Sequence, residues 1–486
     1  MKRRTFLKGT LAASAALGVQ ESNAAQETTR ASADRPNIIF LLTDDQHWRA
    51  MGCAGNPVIV TPNMDRLAAE GVMFRNHFVT TSICNVSRAT IFTGLYLGTH
   101  QILNFDQDLT PELEAISYPW LMRDAGYHVG FVGKYGVGNN LPAEAFDYWE
   151  GFPGQNVYFH RVDGKWRHLT EMLGDSSVRC IRTAPADRPL CLSVSFKAPH
   201  VIDHLPDPFQ PDPKYDDLYK DATIPLPETY SDEYLARMPE FLRQSINATR
   251  SWRIDNEERF QESVKKYYRT LTGVDDQIGR IRAALRETDR DGHTVIILTS
   301  DNGYFLGEHH FEGKWLMYEE SVRTPMIIAD PRLPAERHGV TVDAMTLNID
   351  CSPTILDLAS VSIPPAAQGR SLIPFLDRGT PADWRKDWFY EHLFDYPTLV
   401  KSEGIRGERW KYIRYLESDP LYEELFDLDR DPREIRNLAL ASEYGDKLYE
   451  MRKRYRALRT EYVNDRLPHP GFPGRPDPRF GEEAFA

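Results

Sequence analysis

Two acidic pairs stand where an apolar run stops. PNIIFLLTDDQ ends its hydrophobic stretch from Ile38 to Leu42 at Asp44-Asp45, and HTVIILTSDNG ends Val295 to Leu298 at Asp301-Asn302. Either pair alone is what a turn or a helix N-cap uses. Brought side by side, three carboxylates and an amide repel one another without a cation, and an all-oxygen set suits hard Ca²⁺ or Mg²⁺ rather than zinc. Four basic residues stand beside other turns or strand ends: Arg88, Lys134 in GFVGKYGVG, His200 in KAPH and Lys314 in HHFEGKWLMYEE. Singly, such groups are most often solvated or structural. Collectively they can hold a tetrahedral oxyanion against a metal while an acid protonates the leaving oxygen. Cys84, in TTSICNVSRATIFTG, lies four residues before Arg88 with an apolar run behind it. It is either an ordinary buried thiol or a group rewritten for catalysis.

The elements that must position these residues are legible as periodicity. Continuous β-branched runs without polar alternation suit strands buried on both faces of a parallel sheet, and PLCLSVSFKAPH, ending on His200, is a third of the kind. Between them NMDRLAAEG and VKKYYRTLTGVDDQIGRIRAALRET are helical candidates. The alternation predicts an α/β fold, a doubly wound and mostly parallel sheet, in which ligands gather outside the carboxyl ends of the strands. The segment from about 203 to 260, with PDPFQPDPK and ATIPLPETY, reads as a long surface insertion. After Pro364-Pro365 the character changes. GIRGERWKYIRYL and EELFDLDRDP predict short antiparallel strands, and ASEYGDKLYEMRKRYRALRTEYV a closing amphipathic helix. The expected organisation is a catalytic domain over 35–384, a smaller C-terminal α+β subdomain over 385–466 and an irregular tail over 467–486.

The 486-residue chain is long enough for a large core plus an appendage. Residues 1–25, MKRRTFLKGTLAASAALGVQESNAA, have a basic start, a short apolar stretch and small residues before Ala24 and Ala25, the pattern of a cleaved export signal. Arg3-Arg4-Thr5-Phe6-Leu7-Lys8 matches the twin-arginine type, which makes the export machinery a partner and predicts a periplasmic or secreted protein. Its removal takes the formal charge from −13 to −16, a poor balance for binding nucleic acid or anionic membrane. No other segment reaches the roughly 18 apolar residues that a span needs. The five cysteines fit no zinc spacing, and Cys180 with Cys191 are a pair that oxidation after export can join.

The set of motifs resembles the type I sulfatases of the alkaline phosphatase superfamily. It comprises Asp44-Asp45, C-N-V-S-R at 84–88, Gly133-Lys134, Pro199-His200, D-N-G at 301–303, K-x-x-x-Y-E-E at 314–320 and F-D-L-x-x-D-P-x-E-x-x-N-L at 426–438. The resemblance runs in order over roughly 35 to 440. It implies one bound Ca²⁺ ligated by Asp44, Asp45, Asp301, Asn302 and residue 84, the last after a maturing enzyme has oxidised Cys84 to formylglycine. It further implies that the hydrated aldehyde attacks sulfur, expels the alcohol and releases sulfate by elimination. By the same resemblance Arg88 and Lys134 stabilise hydrate and sulfate, His200 and Lys314 contact the ester and assist the leaving group, and His309 in GEHHFEGK matches a substrate-side histidine. The substrate so implied is a sulfated small molecule or glycan. Two positions depart from the family pattern. Val86 stands where Pro or Ala is usual, and Gly136 where K-x-H has its histidine, for which His47 is a candidate substitute. Two other readings stay open, a phosphomonoesterase or phosphodiesterase of the same superfamily and a non-catalytic binder of sulfated glycans with an unmodified Cys84.

Overall fold

The run from Ile38 to Leu42 is the middle of strand β1 (Asn37–Asp44), buried along its whole length. Ile38, Phe40 and Leu42 pack into one core and Ile39 and Leu41 into another, so both faces are covered and no polar alternation is left to see. The computed structural model describes residues 35–464, and the expected export signal over 1–25 and the expected tail over 467–486 lie outside the described residues. Seven further strands complete the sheet: β2 (Val72–Phe74), β3 (His128–Lys134), β4 (Tyr148–Phe152), β5 (Leu190–Pro199), β6 (Thr294–Ser300), β7 (Met326–Ala329) and β8 (Val340–Val342). Their order is β8-β2-β7-β6-β1-β5-β3-β4. Every neighbouring pair is parallel except those of β7, which runs against β6 and β2.

Helices cover both faces, as a doubly wound sheet requires. On one side α1 (Pro62–Glu70), α3 (Leu169–Thr183) and α4 (Glu257–Glu287) bury Met64, Leu67, Leu173, Val274 and Ile278 against Ile39 and Leu41. On the other, α2 (Cys84–Thr93) and α5 (Cys351–Leu358) bury Ile91, Phe92 and Ile355 against Phe40 and Leu42. This alternation also overturns the cysteine pairing. Cys180 lies in the core of Ile39 and Leu41 and Cys191 in that of Ile38, Phe40 and Leu42, and all five cysteines are free thiols.

The segment 203–260 is less superficial than its composition suggests. Phe209, Tyr219 and Ile224 share a buried cluster with Tyr267 and Leu271 of α4, and Leu242 packs into the core of the C-terminal sheet. Proline and charge dictate an irregular backbone there, while the aromatic and aliphatic residues between them still find apolar surface.

The C-terminal strands β9 (Asp387–His392), β10 (Ser402–Gly407), β11 (Trp410–Tyr415) and β12 (Tyr422–Asp427) form an antiparallel sheet in sequential order. Helix α6 (Gly445–Asn464) lays Leu448, Met451, Tyr455 and Leu458 into the same core. Where this sheet meets the larger one, the buried Glu424 carboxylate accepts hydrogen bonds from Tyr318 (2.9 Å) and Tyr415 (2.7 Å). Burial pushes it from an ordinary 4.5 up to about 7; the two hydroxyls and Lys411 oppose the rise and Glu434 adds to it. The folded group therefore keeps its proton through a range in which the unfolded chain has released it, and stability falls as pH rises through that window, by on the order of 3 kcal/mol. Glu424→Gln is expected to flatten the decline of Tm between about pH 5 and pH 8. An unchanged slope in calorimetry would show that another group carries it.

Candidate active site

The site is assembled by strand register. Thr43 lies opposite Ser300, and Asp301 N–H donates to Thr43 O at 3.0 Å, so the residues after β6 sit beside those after β1. On the other side of β1 a register shift between Leu42 and Asp44 sets Asp44 opposite Pro199, bringing His200 level with the acidic pair. Ser195 of β5 faces Gly133 of β3, which places Lys134 next along the edge. Gly133 is required there, because at φ 103° a Cβ would fall 2.0 Å from Ser195 O. Four adjacent parallel strands thus deliver Asp301-Asn302, Asp44-Asp45, His200 and Lys134 to one end of the sheet.

All these side chains are buried, and three carboxylates face three cations. Lys134 Nζ lies 2.5 Å from Asp44 Oδ2, and Lys314 Nζ donates to Asp45 Oδ1. Arg88 reaches in from α2, giving Nε to Asp301 Oδ2 (2.8 Å) and Nη1 to Lys134 O (2.7 Å) and Ser195 Oγ (2.5 Å). His200 Nε2 stands 3.5 Å from Asp45 Oδ2, while Nδ1 is bonded to Val201 O at 2.8 Å. Burial works against the charge on Asp44, yet the cations, Lys134 first, hold its carboxyl well below the usual range. Burial likewise works against the Lys314 ammonium, and Asp45 outweighs it and keeps it protonated.

The donor set fits a hard cation. Asp44 Oδ1 and Asn302 Oδ1 are buried without a hydrogen-bond partner among the described residues. Asn302 Nδ2 donates to Asp45 Oδ1 (2.5 Å), which turns its carbonyl oxygen free of that bond. Asp44, Asp45 and His200 offer ligand atoms within 4.8 Å of one another. His200 thus stands in the metal-capable group as well as beside the cations. Asp301 is close by, with one oxygen on Arg88 and the other 3.3 Å from Asp45 N. Buried oxygen acceptors clustered in this way suit Ca²⁺ or Mg²⁺.

Cys84 is the first residue of α2, 6 % exposed, and near enough to Arg88 and Lys314 for a negative charge on it to strengthen both cations. Val86 packs with Ile83, Leu97, Leu103, Trp315 and Phe394 in a satellite core, which accounts for an aliphatic side chain at that position. At Gly136, φ is 71° and a Cβ would lie 2.7 Å from Arg88 Cδ and 3.1 Å from Lys134 Cε. The space a longer residue would enter is occupied by Arg88 itself. His47 is engaged elsewhere, with Nε2 3.6 Å from Glu308 and Nδ1 accepting from Arg49 N. The structure does not bring His309 into the cluster: its ring is buried among Phe305, Phe311 and Tyr318, and burial pulls its pKa down to about 4.

The late motifs act at a distance. Lys411 Nζ donates to Met317 O (3.0 Å) and ion-pairs with Glu319 Oε1 (2.8 Å) and Glu434 Oε1 (2.5 Å), Tyr390 donates to Trp315 O at 3.1 Å, and Glu319 N–H donates to Glu434 at 2.7 Å. The C-terminal sheet therefore grips the loop directly after Lys314 and fixes where its ammonium stands. Sequence reasoning missed Lys197, buried under the ring of Tyr158 (4.8 Å) and bonded to Val201 O at 3.0 Å, which burial pulls down to about 8. Its signal was a lysine inside an otherwise apolar strand. Ser195 was missed too, since a serine in a strand carries no sign that an arginine will find it.

Buried cations and metal-capable carboxylates thus stand together at the carboxyl ends of a doubly wound sheet, an arrangement suited to metal-assisted hydrolysis of an anionic ester. The Sulfatase family model matches residues 36–361, and a second, described as N-sulphoglucosamine sulphohydrolase, C-terminal, matches 307–461. The chain belongs to the sulfatase family, hydrolases that act on sulfate esters. It is 29 % identical to an N-acetylglucosamine-6-O-sulfatase of Bacteroides thetaiotaomicron, over 89 % of this chain and 87 % of that one. It is also 29 % identical to a multifunctional alkaline phosphatase superfamily protein of Trinickia caryophylli, over 90 % and 97 %. Among solved structures, one in complex with its substrate D-glucosamine-2-N,6-O-disulfate superposes with a TM-score of 0.75 at 28 % identity, covering 88 % of this chain and 98 % of that one.

Proposed function

We propose that this sulfatase releases inorganic sulfate from a sulfated carbohydrate outside the cytoplasm, after export by its twin-arginine signal. The observation that carries the reading is the convergence of Asp44, Asp45, Asp301 and Asn302 with Arg88, Lys134, His200 and Lys314 in one buried cluster beside Cys84. Asp44, Asp45, Asp301, Asn302 and residue 84 would hold one Ca²⁺, which would supply Lewis-acid polarisation of the sulfate group, and formylglycine made from Cys84 would supply the hydroxyl nucleophile. Arg88, anchored on Ser195 and Asp301, and Lys134 present fixed positive charge to the sulfate oxygens, with no reorganisation as charge develops. Lys314 stays cationic, binds the ester and has a proton to offer the departing oxygen; His200 Nδ1 donates to Val201 O and burial opposes charge on the ring, so Nε2 assists the leaving group as an acid only when the Asp44 and Asp45 carboxylates beside it hold a second proton there. The catalytic unit spans 35–384, and the subdomain from 385 holds the Lys314 loop. Glycan as the substrate class is supported by the named activities of two relatives, the N-acetylglucosamine-6-O-sulfatase and an ulvan-active sulfatase of Formosa agariphila.

The test is a screen of sulfated mono- and oligosaccharides and aryl sulfates with calcium present, reading sulfate release. His200→Ala should then slow sugar sulfates, whose alkoxides leave poorly, more than activated aryl sulfates, by about 10²-fold or more. Equal losses would reduce His200 to a sulfate contact. A second reading has a specific support in the multifunctional relative from Trinickia caryophylli: hydrolysis of phosphate monoesters or diesters at the same site. The same screen run on those esters decides, since turnover confined to them would displace the sulfatase assignment of substrate.

A further inference from the structure

Beside the site stands a two-stranded hairpin, residues 159–168, that the chemistry above does not use. Its strands are Phe159–Val162 and Lys165–His168, paired antiparallel with His160 opposite Arg167 and Arg161 opposite Trp166. The turn residues Asp163 and Gly164 both have positive φ, 48° and 79°, the combination that closes a tight hairpin in the twist of its strands. Its root is tied to the site. Tyr158 OH donates to His200 O at 2.8 Å, and the Tyr158 ring stacks on His168 with 5.1 Å between centroids.

Because side chains alternate along a strand, the face that carries Phe159 and His168 at the root carries Arg161 and Trp166 at the tip. Trp166 is 70 % exposed, the most open tryptophan among the described residues, where an aromatic ring of that size is normally covered. Arg161 and Lys165 are exposed and have no carboxylate within 4.0 Å among the described residues, whereas Arg167 below them is paired to Glu171 and Asp175. Cations without a carboxylate partner beside an open aromatic ring suit an anionic ligand with an apolar face, although the chain as a whole carries a net charge of −13.

We propose that this hairpin is a secondary binding surface for the continuing strand of a sulfated polysaccharide, holding it while one sulfate ester occupies the site. Trp166 stacks on a sugar face and Arg161, opposite it on the same face, takes a sulfate group further along the chain, while Lys165 on the other face of the tip adds positive charge at longer range. A four-residue strand spans about 13 Å, so the tip meets residues of the polymer well beyond the one being hydrolysed. This inference rests on the carbohydrate reading of the site.

The experiment uses full-length protein and its Arg161→Ala/Trp166→Ala variant, with dextran sulfate and neutral dextran as paired probes. The expected result is dextran sulfate binding that weakens about 10-fold or more in the variant and falls with salt, no binding of dextran by either protein, and unchanged turnover of a small aryl sulfate. Arg161→Glu, which leaves Trp166 in place, should weaken dextran sulfate binding as well. Equal affinity of wild type and both variants for dextran sulfate overturns the proposal, and so does equal binding of dextran. The two readings fail separately. A protein that releases sulfate but binds through some other surface sinks only the hairpin, and one that binds through the hairpin yet hydrolyses no carbohydrate sulfate sinks only the substrate assignment.

Discussion

Replacing Cys84 by alanine is expected to abolish sulfate-ester hydrolysis, with turnover falling on the order of 10⁴-fold or more, while the fold survives. The thiol is small and stands at the first turn of α2, so its loss leaves a cavity worth about 1 kcal/mol. What is lost is chemical. Arg88, Lys134 and Lys314 converge beside a residue that, as a soft thiolate, is a poor partner for the hard cation that the neighbouring oxygens suit. Conversion to formylglycine removes that mismatch, and peptide mass spectrometry on protein from the native host checks it. The peptide containing residue 84 should lose mass and resist alkylation. A peptide that is wholly cysteine in protein that still hydrolyses sulfate esters would end this mechanism. Val86 gives a second arm. Its N–H lies in the first turn of α2, where no intrahelical acceptor exists, so proline there forfeits no helix hydrogen bond. If native protein is unconverted and inactive, but Val86→Pro restores both aldehyde and turnover, the chain is a sulfatase that has lost its maturation signal.

The strands that carry the site were readable because burial on both faces leaves an unbroken apolar run, and the residues that end such a run announce themselves. Asp44-Asp45, Asp301-Asn302, Lys134 and His200 were found that way. The grouping of His200 with Asp44 and Asp45 was not, because it follows from a register shift after Leu42 that no periodicity encodes. The late motifs were visible as strings, yet their purpose, gripping the loop after Lys314 through Lys411 and Glu434, is a tertiary contact across about 100 residues of chain. His309 matched a pattern by spacing alone, and spacing does not say whether a ring faces the site or the aromatic cluster behind it. The hairpin 159–168 gave no strong signal, its four-residue strands being too short and too polar for alternation to register.

The second large effect is expected from Asp301→Ala, which should abolish both calcium binding and activity. Stability complicates the comparison, because Asp301 is the buried partner of Arg88, and deleting one side of such a pair costs about 3–5 kcal/mol by stranding the other charge. Loss of activity alone would therefore not separate metal from fold. Asp301→Asn keeps the shape and accepts one hydrogen bond from Arg88, and the informative quantity is the change in Tm on adding calcium to each protein. Wild type should gain about 3 kcal/mol at calcium a hundredfold above its dissociation constant, whereas Asp301→Ala should gain nothing measurable and Asp301→Asn, with a neutral and weaker oxygen ligand, should gain less than wild type. Metal analysis of wild type should return one calcium per chain. Full activity after exhaustive chelation, or zinc in the site, would refute the assignment. A calcium-dependent gain in both variants equal to that of wild type would take Asp301 out of the ligand set and leave the ion to Asp44, Asp45 and Asn302, whose carbonyl oxygen is buried without a partner among the described residues.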